Sequence, residues 1–519
     1  MWTIAASICF EVNMKLRDLL GWSSALCLSI TIAQAQETNE VEKLNKQLKQ
    51  LQESFEKQQR EMKENFERML REQQAQIDVL KKQIEASKTN APPSLAPQPG
   101  MTAPATAPPD VATKSWQPTD PIRLGSAQNY LSLSLDALVA AGTSTANDLE
   151  KLQLGGHDPK QRGFTVQNLE TVFDGKVDPY FRGQANIVLQ IDPHGETTIE
   201  AEEAYLETMS LPLNLQVKAG QFFSEFGRLN PTHPHAWDFV DQPLVNGRFL
   251  GEDGLRSAGA RLSWLTPTPF YSELYVAIQN SQGGTAFSFR NEHEGMPFLG
   301  RPGMDRSVKT LGDMLVVPRY VASFNLSDSQ TLMAGASGAF GPNSSGSDAD
   351  TQVYGVDLFW KWKSPHQHAG FPFVTWQTEG MVRRFKAGAF NGDFNGNGIL
   401  DSGEQDLNGD GVPDVLPRET LTDYGVYSQV AYGFSKGWVA ALRGDYVFPE
   451  KEGLYESIIG LDPNRASRWR ISPNLTWYPS EFSKIRLQYN YDHRDGIGED
   501  HSVWVQFEFL LGTHAAHKF

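Results

Sequence analysis

YFRGQANIVLQI, residues 180–191, sets the reading of the whole chain. Phe181, Gly183, Ala185, Ile187, Leu189 and Ile191 fall on one face of an extended segment, and Arg182, Gln184, Asn186 and Gln190 on the other. Successive side chains of a strand point to opposite sides, so a period of two marks a strand with one apolar and one polar face. KIRLQYNYD (484–492) and LNLQVKA (213–219) repeat the pattern. A water-soluble sandwich alternates as well. Segment length separates the two cases, because runs of ~10–14 residues suit a tilted membrane strand better than a globular one.

Working outward, sixteen such runs are expected near 129–141, 163–176, 179–191, 199–210, 213–226, 258–266, 269–280, 317–325, 329–340, 351–362, 372–385, 422–434, 437–448, 467–479, 482–493 and 501–511. Their connections alternate between long (142–162, 227–257, 281–316, 386–421, 449–466) and short (177–179, 211–212, 266–269, 326–329, 478–484), with 364–372 longer than a tight turn. Transmembrane barrels of bacteria have an even strand number, short turns on the periplasmic side and long loops outside. In hydrocarbon every backbone N–H needs a partner, and closure leaves no free edge. The fold expected for 128–519 is therefore an all-β transmembrane barrel of about 16 antiparallel strands.

Three segments precede it. MKLRDLLGWSSALCLSITIAQAQ, from Met14, has a basic start, an apolar run and Ala33-Gln34-Ala35, so residues 1–35 read as a signal peptide with cleavage after Ala35. Cys9 and Cys27 both fall in that part, and the mature chain has no thiol for a disulfide or a metal. Residues 37–88 place Val41, Leu44, Leu48, Leu51, Phe55, Met62, Phe66, Met69, Ile77, Leu80 and Ile84 at 3-4 spacing. This predicts a periplasmic α-helical coiled coil, roughly 75–80 Å long. So narrow a stripe needs partner helices, and a homotrimer held by coil and barrel is expected, with the coil extending toward peptidoglycan. Residues 89–127 are a Pro/Ala-rich linker. The formal charge of −16 excludes a nucleic-acid partner. No run of about 18 apolar residues follows the signal, so no transmembrane helix is expected. The expected location is the outer membrane of a Gram-negative bacterium, in contact with its lipid.

Two stretches carry the expected sites. In GDFNGNGILDSGEQDLNGDGVPD (392–414), Asp393, Asn395, Asn397, Ile399, Asp401 and Glu404 occupy positions 1, 3, 5, 7, 9 and 12 of a calcium loop, with Gly398 at position 6. A second, partial copy offers Asp406, Asn408, Asp410 and Asp414 but has Pro417 where the bidentate Glu belongs. Seven acids face Lys386 and Arg418 over 386–419, so Ca²⁺ is expected to neutralise and order this external loop. The third external loop, 227–257, carries Arg228, His233, His235, Asp238, Asp241 and Arg248, expected to face one another and set a field that filters ions. His233 and His235 are also candidate Zn²⁺ ligands, with Asp238 or Asp241 completing the set. No G-x-S-x-G, H-E-x-x-H or P-loop motif occurs, and no enzyme is expected. Glu202 and Glu203, adjacent on a strand, are expected to point to opposite faces.

VQNLETVFDGKVDPYFRGQANIVLQI and EAEEAYLETMSLPLNLQVKAGQFFSEFGRLNP resemble phosphate-selective porins of the O/P type, and the chain's ending, an amphipathic strand and Phe519, resembles the assembly signal of outer-membrane barrels. The resemblance implies a porin-like channel for passive diffusion of small hydrophilic solutes or ions, with the third loop folded into the lumen. The acidic balance does not carry phosphate selectivity over. HPHAWDFVDQPLVNGRFLGEDGLRSAGARLSWL and LLGTHAAHKF are similar to a group labelled zinc-regulated TonB-dependent outer-membrane receptor, and Glu37-Thr38-Asn39-Glu40-Val41 resembles a TonB box. That likeness implies one alternative, a metal receptor coupled to an energy-transducing partner; a second, a tether between membrane and wall, comes from the coiled coil expected over 37–88.

Overall fold

A computed structural model describes Lys49 and residues 122–125, 129–281, 284–290 and 297–512. The expected signal peptide, the coiled coil apart from Lys49, most of the linker, and His514, His517 and Phe519 lie outside the described residues. Sixteen strands build the sheet: β1 (Tyr130–Ser144), β2 (Gly163–Lys176), β3 (Phe181–Ile191), β4 (Thr197–Thr208), β5 (Leu215–Phe223), β6 (Arg256–Leu265), β7 (Tyr271–Gln279), β8 (Leu315–Ser327), β9 (Gln330–Pro342), β10 (Asp350–His368), β11 (Phe371–Ala387), β12 (Glu419–Ser435), β13 (Trp438–Pro449), β14 (Arg468–Ser480), β15 (Ser483–Arg494) and β16 (Gly498–Leu511). Each pairs antiparallel with the next. The cylinder closes where β1 meets β16, from Leu135 opposite Leu511 to Ser144 opposite Ser502.

Ile122–Gly125, at the end of the expected linker, adds a short strand to β1 opposite Tyr130–Leu133. It occupies the stretch of β1 that β16 leaves unpaired, so the seam is covered to its end. Connections at one end run two to six residues, and the other end carries the long loops 145–162, 224–255, 280–314, 388–418 and 450–467. The connection expected over 364–372 is corrected: β10 and β11 both extend into it, and only Ala369 and Gly370, both at positive φ, make the turn.

Burial is inverted relative to a water-soluble protein. Outward positions such as Leu262, Val276, Leu442, Leu475, Leu487 and Phe507 are apolar and exposed, while inward ones such as Asn168, Glu170, Arg383, Arg443, Arg470 and Gln488 are polar and buried. Aromatic pairs flank the exposed band. Trp438 stacks on Trp477 at the short-turn end, and at the loop end Tyr446 stacks on Phe448 and Trp469 packs on Tyr491. Such girdles mark the two interfaces of a bilayer. Leu442, between the girdles, gives a direct check. Leu442→Arg is expected to cost about 2–4 kcal/mol near the bilayer midplane. It should lower the yield of folded barrel in phosphatidylcholine vesicles, read by heat-modifiable gel migration; wild-type yield would refute the lipid-facing assignment.

Candidate functional site: a lumen crossed by an in-folded segment

The segment 224–255, between β5 and β6, folds into the cylinder instead of projecting from it. It turns inward at Gly227, whose φ is +61° and whose N–H donates to Ser337 Oγ. A Cβ there would meet the Glu379 carboxylate, so the close approach needs glycine. Further on, the short helix α1 (Leu244–Phe249) buries Leu244, Val245 and Phe249 among Phe222, Phe226, Val353 and Tyr427. Val245 lies against Gly425 of β12, where any side chain would collide with it.

The walls that receive the segment carry opposite charge. On β13–β15, Arg443, Arg468, Arg470, Lys484 and Arg486 point inward and are buried. On β1, β2 and β4 the buried inward groups are Asp136, Glu170, Glu202 and Glu203. The segment matches both sides. Asp241 accepts from Arg443 at 2.6 Å and Arg470 at 2.9 Å, and also from Gln488 and Asn490. Burial alone would raise its pKa, but the two guanidinium groups prevail and hold its carboxyl below the usual carboxylate range. Lys484 and Arg486 donate to the carbonyls of His235 and Trp237. On the acidic strands, His233 and His235 sit beside Glu170 with their rings stacked at 5.8 Å.

The remaining expected residues disperse. Arg228 donates to Gln377 Oε1 and lies 3.8 Å over the Phe359 ring. Asp238 accepts from Gln429. Arg248 is buried and donates to the carbonyls of Arg465 and Ala466. The six residues of this loop were expected to face one another; instead most are satisfied by the walls. Asp238 is engaged by Gln429 and Asp241 by Arg443 and Arg470, so neither joins the groups that converge around the histidines.

The acidic wall is assembled by two β-bulges that the alternation argument missed. Asn186 pairs with Glu203 and Ile187 with Ala201, which leaves Glu202 as the extra residue on β4. The expectation that Glu202 and Glu203 point apart is therefore corrected: both are buried inward, 2% and 7% exposed. On β2 the extra residue is Gln167, between the pairs Leu138–Asn168 and Val139–Val166, and it turns inward beside Asn168. Its amide donates to the carbonyls of His157 and Val240, tying the first long loop and the segment to the wall. Burial works against a charge on His157, yet its contact with Glu202 and the nearby Asp253 outweigh burial and push its pKa up to about 9.

The calcium-type loop lies outside, between β11 and β12. Asp393 accepts from the N–H groups of Gly396 and Gly398, and Glu404 from those of Phe394, Asn395 and Asp401. The amides of Asn395 and Asn397 both donate to Asp401, and Asn397 Oδ1 accepts from the Ile399 N–H. In the second copy Asp406 accepts from Gly409 and Gly411, Asn408 donates to Asp410, and Asp414 accepts from Leu407. Gly396, Gly398, Gly409 and Gly411 all have positive φ, so both copies coil tightly. Among the described residues, His and carboxylate atoms converge tightly enough for a metal not here but inside the barrel, at Asp136/Glu170/His235 and Glu170/Glu202/His233.

These features define a class: a closed sixteen-stranded barrel with an ionic interior, narrowed by a segment pinned to both walls. No family model matches the chain. An uncharacterised protein of Aquifex aeolicus (strain VF5) is 30% identical over 426 residues, which span 75% of this chain and 79% of that protein. The chain belongs to the same family as that protein. Among solved structures, the outer-membrane channel DcaP of Acinetobacter baumannii is similar with a TM-score of 0.44 and 13% identity, over 75% of this chain and 99% of that one. The anion-selective porin from Comamonas acidovorans has a TM-score of 0.42 and 7% identity, over 74% and 100%. Here the barrel follows from its own strand pairing.

Proposed function

We propose that this protein is an outer-membrane channel through which small hydrophilic solutes or ions diffuse passively, with segment 224–255 as its constriction. The observation that carries the reading is a closed cylinder, apolar outside and ionic inside, whose basic strands β13–β15 and acidic strands β1, β2 and β4 both line the lumen and hold the in-folded segment. Opposed charges at a constriction act on ions by sign and on neutral solutes through their dipoles. A barrel of this strand number encloses an aqueous path, whereas the plugged transporters have roughly 22 strands, so energy coupling is not favoured. The long loops face outward and the short turns the periplasm. The chain assembles as a homotrimer through barrel contacts and the coiled coil expected from the sequence of 37–88. The test is planar-bilayer recording of the purified protein: small, steady, ion-selective steps support the channel, and an electrically silent bilayer overturns it.

The loop 388–418 binds Ca²⁺ through Asp393, Asn395, Asn397, the Ile399 carbonyl, Asp401 and Glu404, in the weak range of about 10⁻⁴–10⁻³ M typical of extracellular modules. Millimolar Ca²⁺ is expected to slow proteolysis within the loop in the wild type and to leave Glu404→Ala unprotected. Equal cleavage rates with and without Ca²⁺ would exclude this role.

A further inference from the structure

We infer that His233, Glu170 and Glu202 form a site for one first-row divalent transition-metal ion, zinc being the best fit, which fastens the in-folded segment to the barrel wall. Three observations converge. The first is the orientation of the imidazole. Its Nε2 lies 3.1 Å from Glu203 Oε2 and near the Asn186 amide. A proton held on Nε2 by a carboxylate leaves the lone pair on Nδ1, the arrangement in which metal-binding histidines are held.

The second is what Nδ1 faces. Glu202 Oε2 is 2.8 Å away and Glu170 Oε1 3.3 Å away. Neither Nδ1 nor Glu202 Oε2 has a hydrogen-bond partner, although both are buried. The short contact lies off the alignment that a hydrogen bond needs. Three electron-pair donors within 4.8 Å of one another repel each other unless a positive charge sits between them. A proton on Nδ1 supplies that charge only along a straight N–H···O line, whereas a metal ion supplies it from a common centre. Ligands about 2.0–2.2 Å from a tetrahedral ion are separated by roughly 3.3–3.6 Å, close to the Nδ1–Glu170 distance. One imidazole with carboxylates suits zinc and its neighbours and disfavours calcium and magnesium, which take oxygen ligands.

The third is the construction around the site. The bulge at Glu202 turns that carboxylate inward, and its other oxygen faces His157 Nε2 at 3.4 Å. Glu170 is fully buried and its two oxygens receive the amides of Asn186 and Asn168. Among the described residues, no Lys or Arg forms an ion pair with Glu170, Glu202 or Glu203. His233 itself belongs to the segment, so an ion here joins segment to wall.

The inference stands apart from the transport reading, because binding is measured without conductance. The full-length protein in detergent is stripped with a chelator and titrated with ZnCl₂ by calorimetry, in calcium-containing buffer so that the external loop is saturated. One zinc per chain is expected, with affinity at least tenfold weaker in His233→Ala and Glu202→Gln and unchanged in His366→Ala/His368→Ala. X-ray absorption at the zinc edge of the wild type needs no variant and should show a single imidazole among oxygen ligands. Equal binding by wild type and both site variants, loss only in the His366/His368 variant, or two or more imidazoles on the ion would each overturn the site.

Discussion

Excising residues 231–250 should raise single-channel conductance several-fold and weaken ion selectivity. The segment lies inside the lumen, tied to the acidic strands through His233 and to the basic strands through Asp241, and its removal leaves the interior of a sixteen-stranded cylinder open to water. The deletion is geometrically mild. The Asn230 amide already donates to the carbonyls of Ser224 and Leu255, so the cut ends start close together and a short Gly/Ser linker joins them. The barrel walls do not depend on the excised residues for any strand pairing. Recordings in a planar bilayer decide the matter: a folded deletion variant with wild-type conductance would show that the segment does not limit flow.

Asp241→Asn is expected to release the same segment without removing it. The change leaves Arg443 and Arg470 buried with one carboxylate fewer between them, and breaking a buried ion pair from one side costs about 3–5 kcal/mol. Arg443 retains Asp445 and Arg470 retains Asp492, so the cost falls mainly on docking of the segment. Because the Asp241 carboxyl is held below its usual range, its contribution is complete at neutral pH, begins to fade as pH falls below the ordinary aspartate value and is gone below the lowered pKa. Limited trypsinolysis at Arg228 and Arg248 measures undocking directly. Faster cleavage at both sites with an intact barrel is the expected result, and an unchanged rate would show that Asp241 is not the principal tie.

The strand positions were legible because the period of two is local. KIRLQYNYD and VWVQFEFLL announce β15 and β16 whatever their neighbours, and the spacing of turns did the rest. The bulges were legible in principle and were missed. On β4 the outward small and apolar positions change from odd (Ile199, Ala201) to even (Ala204, Leu206) across Glu202, and on β2 from even (Phe164, Val166) to odd (Leu169, Thr171, Phe173) across Gln167. Such a change of parity is what one extra residue produces. The partners of the segment were not legible. Asp241 meets Arg443, Arg470, Gln488 and Asn490, more than 200 residues away, and no local pattern connects them. His233 and His235 stack on each other, as their closeness in sequence allows, but the carboxylates beside them lie earlier in the chain, on strands whose inward register depends on the bulges.

The same long-distance ties impose an order on assembly. His233 and His235 can be received early, since β1 to β4 precede them in the chain. Asp241 has no basic counterpart until β13 to β15 have been placed, so an incompletely assembled cylinder holds a segment anchored at one side only. Segment and seam are therefore completed together: the strands that bring Arg443 and Arg470 are followed only by those that seal the circle at β16. A protomer that stalls before closure would present its unmatched acidic residue and loose apolar helix to the periplasm, where a quality-control protease could tell it from a finished one.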